Sequence, residues 1–198
     1  MILIFILLLA TSSALADIPE PWQDDVLGMW FDDAAISPCI DTTEPNQEVV
    51  GYVIVRHLPS NLLTYELGLT IENAENLSNM QVSLRCGFDV SDDDLDYVVA
   101  DCLIQLDANV VLMSIHATVI HPNIPVSFYL RAYDIPGGEP YPECVGSPCY
   151  AALPGDIRSF LPANGSWRLP AAVINGGDPC EVVVRDKMSW SAVKALYR

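Results

Sequence analysis

Basic residues are scarce in this 198-residue chain, with 9 Lys and Arg against 26 Asp and Glu and a formal net charge of −17. Nucleic acid and anionic membrane surfaces carry the same sign, so both are disfavoured as partners. Histidine is equally thin: His57, His116 and His121 are the only three. There is no G-x-S-x-G elbow, no phosphate-cradling glycine loop and no H-E-x-x-H pair. A C-x-x-C pair is missing too, and no histidine lies near a cysteine in sequence, which argues against a zinc site. Internal repeats and low-complexity tracts are absent. The opening apolar run, Ile2 to Leu9, falls well short of the roughly twenty residues that a membrane-crossing helix needs.

That run belongs to the opening MILIFILLLATSSALA, in which Ser12 and Ser13 follow the apolar segment and Ala14-Leu15-Ala16 supplies small residues two apart. It reads as a signal peptide cleaved after Ala16, leaving a chain that starts at Asp17 and has no membrane span. The expected location is secreted, either extracellular or periplasmic. Six cysteines in an exported chain argue for disulfides, and six can pair in many ways. Cys86 and Cys102 each fall on the apolar side of an alternating segment, which favours a bridge between them inside the core. Cys144 and Cys149 enclose only four residues and would pin a loop. Cys39 and Cys180 would then tie the first third of the domain to its last strand.

What the sequence has in quantity is alternation. Leu63, Tyr65, Leu67, Leu69 and Ile71 oppose Thr64, Glu66, Gly68, Thr70 and Glu72. Met80, Val82, Leu84, Cys86 and Phe88 oppose Gln81, Ser83, Arg85 and Gly87. A period of two places each apolar set on one face of a pleated strand, so each segment reads as a strand with one buried and one wet face. Similar segments run over Val26–Asp32, Val49–Leu58, Tyr97–Ile104, Val110–Ile120 and Val126–Tyr133, bounded by turn chemistry. Pro59-Ser60-Asn61 predicts a hairpin between the strand ending at Leu58 and the one beginning at Leu63. The spacing predicts an all-β, antiparallel two-sheet sandwich, one domain over 17–198. Residues 134–179 are rich in Pro and Gly and read as an irregular part of it. Glu181–Arg185 restores a strand, and Ser189–Arg198 reads as a short C-terminal helix with Ser189 as N-cap.

The string VLGMWFDDAA followed by Cys39, together with the ending SWSAVKALYR, resembles the two ends of a set of uncharacterised secreted bacterial proteins with Ig-like or cohesin-like β-sandwiches. The resemblance covers some two dozen residues. It implies secretion and that fold, and it carries over no activity and no site residue.

Two constellations could carry function. Asp89, Asp92, Asp93, Asp94 and Asp96 place five carboxylates in a loop between strands, a donor set that suits calcium, which takes oxygen ligands. The run lacks the Gly and Glu of an EF-hand loop, and a solvated turn that discourages strand pairing explains it equally well. Tyr133, Tyr141, Tyr150 and Trp167 lie in or beside the Pro/Gly-rich region, where exposed rings could stack on a sugar or anchor a protein. Covering the open end of the core is the competing role for these rings. With so many acids, no pair is singled out as a glycosidase couple. His116, beside Ser114 and Thr118 on a polar face, lacks a sequence context for nucleophilic catalysis. The expectation is a non-catalytic extracellular binding, adhesion or structural module without a cofactor, calcium excepted, whose partner is a protein or a glycan. A calcium-assisted carbohydrate-binding module comes next, and a secreted hydrolase using paired carboxylates last.

Overall fold

A computed structural model describes residues 24–91, 93–105, 107–133 and 144–177. The expected signal peptide, Cys180, Tyr141, Asp92, the strand at 181–185 and the C-terminal helix lie outside them. In chain order the strands are β1 (Val26–Trp30), β2 (Cys39–Ile40), β3 (Gln47–Leu58), β4 (Thr64–Glu72), β5 (Leu77–Leu84), β6 (Phe88–Asp89) and β7 (Asp96–Ala100). They continue with β8 (Asp107–Val119), β9 (Val126–Arg131), β10 (Cys149–Leu153), β11 (Asp156–Ser159), β12 (Leu161–Pro162) and β13 (Ala172–Ile174). One sheet runs β12-β1-β3-β8-β5 and the other β11-β10-β4-β9-β13-β2, with β7 on the remaining edge of β4 and β6 beyond it.

The protein is therefore all-β with two sheets. The expectation of purely antiparallel sheets needs correcting, because β1 pairs β12 in parallel and β13 pairs β2 in parallel. Parallel neighbours need a crossover rather than a tight turn, and the excursions between these strands supply it. The Pro/Gly-rich region supplies β10 to β13, so it extends both sheets rather than lying beside them. No helix among the described residues is long and apolar enough to cross a membrane.

The alternation seen in the sequence builds the core. Tyr65, Leu67 and Leu69 of β4 and Phe128 and Leu130 of β9 face Leu27, Met29, Val53, Val55 and Leu112 of the opposite sheet, all of them buried. Each such side chain contributes about 1.5–3 kcal/mol on leaving water. Ile54 points the other way from Val53 and Val55 by the ordinary alternation of β3, and Trp30 and Ala35 cover it in a second, smaller apolar cluster, while the extra residue at the irregularity opposite Val53 and Ile54 is Leu112 of β8. Asn76 is a buried polar pin: its amide nitrogen donates to the carbonyls of His121 and Ile124, and its oxygen accepts from the His121 N–H.

Three local expectations change. Pro59-Ser60-Asn61 does not close a hairpin, since β3 pairs β1 and β8 while β4 pairs β7, β9 and β10; the turn carries the chain from one sheet to the other. The segment Met80–Phe88 is not one core strand. It ends as β5 at Leu84, turns at Gly87 and restarts as β6 in the other sheet, leaving Phe88 57% exposed. Gly87 has φ of +66°, and a Cβ there would lie 2.1 Å from the Ala100 carbonyl oxygen, so the crossing requires glycine. In Tyr97–Ile104 the buried set is Tyr97, Val99, Cys102 and Ile104 rather than the even residues throughout, because Asp101 at φ of +55° shifts the phase by one residue.

Cys86 is bonded to Cys102, with Cα atoms 5.0 Å apart, and Cys144 to Cys149, at 5.4 Å, as the sequence favoured. Cys39 is disulfide-bonded as well, and Cys180, the partner expected for it, lies outside the described residues.

Candidate functional site

The chain from β5 through β6 to β7 wraps an open recess lined by Met80 and Val82 of β5 and by Asp89, Ser91, Asp93, Asp94 and Tyr97. The acidic run becomes a fixed loop because its own polar groups are used on its backbone. The Asp89 carboxylate accepts from the N–H of Ser91 and of Val98, both at 3.0 Å, and from the Ser91 hydroxyl at 2.9 Å. Asp93 Oδ1 accepts from the Leu95 N–H at 3.0 Å, and the Tyr97 hydroxyl donates to the Asp94 carbonyl at 2.8 Å. Such Asx-type bonds are what Asp offers a turn. Only one oxygen of Asp93 is used, and no hydrogen bond to the Asp94 carboxylate is present among the described residues, so both retain free acceptor capacity.

The five carboxylates of the run do not converge. Asp89, Asp93 and Asp94 line the recess, Asp92 lies outside the described residues, and Asp96 is turned away from it. Asp96 begins β7 and is buried beneath Arg131 of β9, whose Nη1 lies 2.6 Å from its Oδ1. Arg131 also donates to Thr70 Oγ1 and to the Ala132 carbonyl, and it crosses Gly68, where a Cβ would approach Arg131 Nη1 to 2.3 Å and Asp96 Oδ1 to 2.4 Å. Asp96 is thus a structural residue. The placement of Asp96 on a strand, facing a cation two strands away, was not visible in a run of aspartates.

The recess keeps its negative field. Among the described residues no Lys or Arg lines it. Burial pushes the Tyr97 phenol up to about 12, and the charges of Asp89, Asp94, Asp93 and Asp96 add to that rise.

The aromatic residues named from the sequence do not form one platform. Tyr150 is 1% exposed, which corrects its assignment as an exposed ring: it lies in β10 with its side chain in the core, stacked on Phe160 at 4.8 Å between centroids. Its hydroxyl donates to Asp25 Oδ1, and burial raises the Asp25 carboxyl above its ordinary value. Arg158 lies in the same corner, paired with Asp156 at 2.8 Å and within reach of the Ser60 hydroxyl. Trp167 is half-buried against the core and shares a small pocket with Leu27, Gly28, Leu130 and Ala163. Tyr133 is half-buried just beyond β9, and Tyr141 is outside the described residues.

One other cluster was not named from the sequence. Glu66 Oε1 lies 3.2 Å from Cys149 Sγ, close to Cys144, and burial raises its carboxyl. Both sulfurs are spent in the disulfide, so they cannot serve as thiolate ligands for a metal. His116 is exposed, with Nε2 3.4 Å from Ser114 Oγ, and no carboxylate orients the ring among the described residues. No protein-family model matches the chain, and no curated protein matches it.

Proposed function

We propose that this chain is an exported, non-catalytic binding or adhesion module, an Ig-like or cohesin-like sandwich whose ligand-facing surface is the acidic recess beside β5. One observation carries the reading: Asp89, Asp93 and Asp94 are held by hydrogen bonds of the loop around an open hollow that, among the described residues, has no Lys or Arg in its lining. A loop already ordered in the free protein does not have to be ordered on binding, and that preserves affinity. Its uncompensated charge attracts positively charged ligands from a distance and repels anionic ones. Export through Met1–Ala16 and bridged cysteines are consistent with an extracellular or periplasmic location. The test is an NMR titration with hexalysine. Amide shifts confined to residues 80–98 are expected, and shifts scattered over the whole acidic surface would reject the site.

Calcium is the second reading, favoured by three carboxylates on one hollow. An ion that binds only the folded chain must raise its melting temperature. Calcium should then raise Tm in a way that a chelator reverses and that Asp93→Asn/Asp94→Asn abolishes; an unchanged Tm removes the ion. The carbohydrate reading has less support, since Tyr150 faces the core and Trp167 sits half-buried against it. A glycan array that shows binding abolished by Trp167→Ala would restore it.

A further inference from the structure

The recess has a second wall that the carboxylates do not explain. β5 is the terminal strand of its sheet among the described residues, eight residues long, and its sequence LSNMQVSL contains neither a charge nor a proline. Exposed edges of that kind are normally blunted by Lys, Pro or a cover, because their unpaired N–H and C=O groups form a template for another strand. Here the N-terminal half is disrupted by a register shift between Ser78 and Gln81, with Asn79 at φ of +51°. The C-terminal half is regular. Gln81 and Ser83 pair with His116 and Ser114, and the Arg85 N–H continues the ladder to the Leu112 carbonyl. In an antiparallel ladder alternate residues bond inward, so Val82 and Leu84 direct their backbone N–H and C=O out of the open edge. Val82 also lines the acidic recess, which places its backbone unit, without a strand partner among the described residues, beside Asp89, Asp93 and Asp94, with that of Leu84 next along the edge.

We propose that this edge binds an extended, lysine- or arginine-rich polypeptide segment by strand addition, with the backbone of Val82 and Leu84 pairing the guest and the recess carboxylates receiving its cationic side chains. The inference rests on the reading of the recess as a binding surface and names the partner class for it. Main-chain bonds supply affinity in this mode, and the side chains on alternate positions supply selection. Charge complementarity selects the occupant. A second copy of this chain brings a net charge of −17 to the same edge and repels it, whereas a cationic strand meets three carboxylates with no competing Lys or Arg in the lining among the described residues.

The probe is a labelled peptide alternating Lys with Val and Thr, compared with the same peptide N-methylated on one edge, which keeps every charge and removes the backbone donors. Binding is followed by fluorescence anisotropy and by hydrogen exchange at Val82 and Leu84. The unmethylated peptide should bind, slow exchange at both amides, and bind about tenfold or more tightly than its methylated form, the effect of a few backbone hydrogen bonds. Asp93→Asn/Asp94→Asn should weaken it by about tenfold as well, with a flatter salt dependence. Val82→Pro, at a position whose N–H makes no ladder bond, should abolish strand addition while the sheet persists. Equal binding of the two peptides overturns strand addition and leaves the acidic surface standing. Loss of both peptides overturns the two readings together. A concentration-dependent dimer that protects Val82 and Leu84 without peptide also overturns the proposal, by assigning the edge to a second copy.

Discussion

Two parts of this molecule hold acidic side chains close together and treat them in opposite ways. Beneath the second sheet's outer surface Asp96 is buried and matched by Arg131, and at the far corner Asp25 receives the Tyr150 hydroxyl while Arg158 holds Asp156. In the β5–β7 recess the carboxylates of Asp89 and Asp93 are served by backbone N–H groups and one serine, and no Lys or Arg faces them among the described residues. Asp96 is the buried acid of the first group, and because a buried charge must be matched or neutralised, loss of its partner is costly to the fold. An exposed loop of like charges contributes none, and it persists here because the backbone is shaped around it. The matched acids should therefore dominate denaturation experiments, and the unmatched ones should dominate binding experiments.

The contrast can be broken most severely at its hinge. Cys86 lies in the crossing from β5 to β6, and its bond to Cys102 holds both walls of the recess together. For a loop of this length, Cys86→Ala/Cys102→Ala should cost about 3 kcal/mol, read as a lowered urea midpoint, and should reduce cationic-peptide binding because the recess loses its frame. Arg131→Ala should come next, at about 2–3 kcal/mol, because it strands the Asp96 carboxylate in a buried position; Arg131 itself is partly exposed, which keeps the figure below that of a fully buried pair. Peptide binding at the recess should survive this change in conditions where the variant is folded.

A smaller effect separates the corner from the recess by pH. Burial raises the Asp25 carboxyl in the folded chain, so the folded state holds that proton more tightly than the unfolded state does. The sign follows: the stability linked to Asp25 is greatest below the ordinary carboxylate range and falls as pH rises through its raised folded value. Asp25→Asn should abolish that component, so the difference in urea midpoint between variant and wild type should change in the variant's favour between about pH 3 and pH 7. A pH-independent difference would show that Asp25 titrates normally. Tyr150→Phe removes the hydroxyl that serves Asp25 and should cost about 1 kcal/mol.

The same contrast explains what the sequence disclosed and what it withheld. Face assignments that depend only on a period of two were legible: Leu63 to Ile71 were expected to share one face, and Tyr65, Leu67 and Leu69 are buried there. Wherever the backbone enters the left-handed region the period slips, as at Asp101, and no apolar pattern announces it. Turn chemistry at Pro59-Ser60-Asn61 marked a reversal but not its destination, because the same few residues can join two strands of one sheet or cross between sheets. The acidic run was legible as a loop. Its division into lining and structural residues depends on Arg131, 35 residues downstream of Asp96, and on the space that Gly68 leaves for the pair. The open edge of β5 was least visible, since an edge strand and a central strand share the same alternation and differ only in what pairs with them.

The finest test compares the recess with itself after its charge is removed. Asp93→Asn/Asp94→Asn keeps the Oδ1 acceptor for the Leu95 N–H, so the loop retains its shape and stability should change by no more than about 0.5 kcal/mol, toward greater stability at low salt as like charges are relieved. Tyr97 reports the field directly. Its phenol stands at about 12 in the wild type, mainly because it is buried, with Asp89, Asp94, Asp93 and Asp96 adding to the rise. Removing two of the four charges should bring the titration part of the way back toward the ordinary tyrosine value and leave the burial contribution in place. Ultraviolet titration of phenolate, with Tyr97→Phe to assign the transition, measures this. A Tyr97 transition that does not move would mean that solvent screens the recess completely, and attraction of a cationic strand to it would then have no electrostatic source.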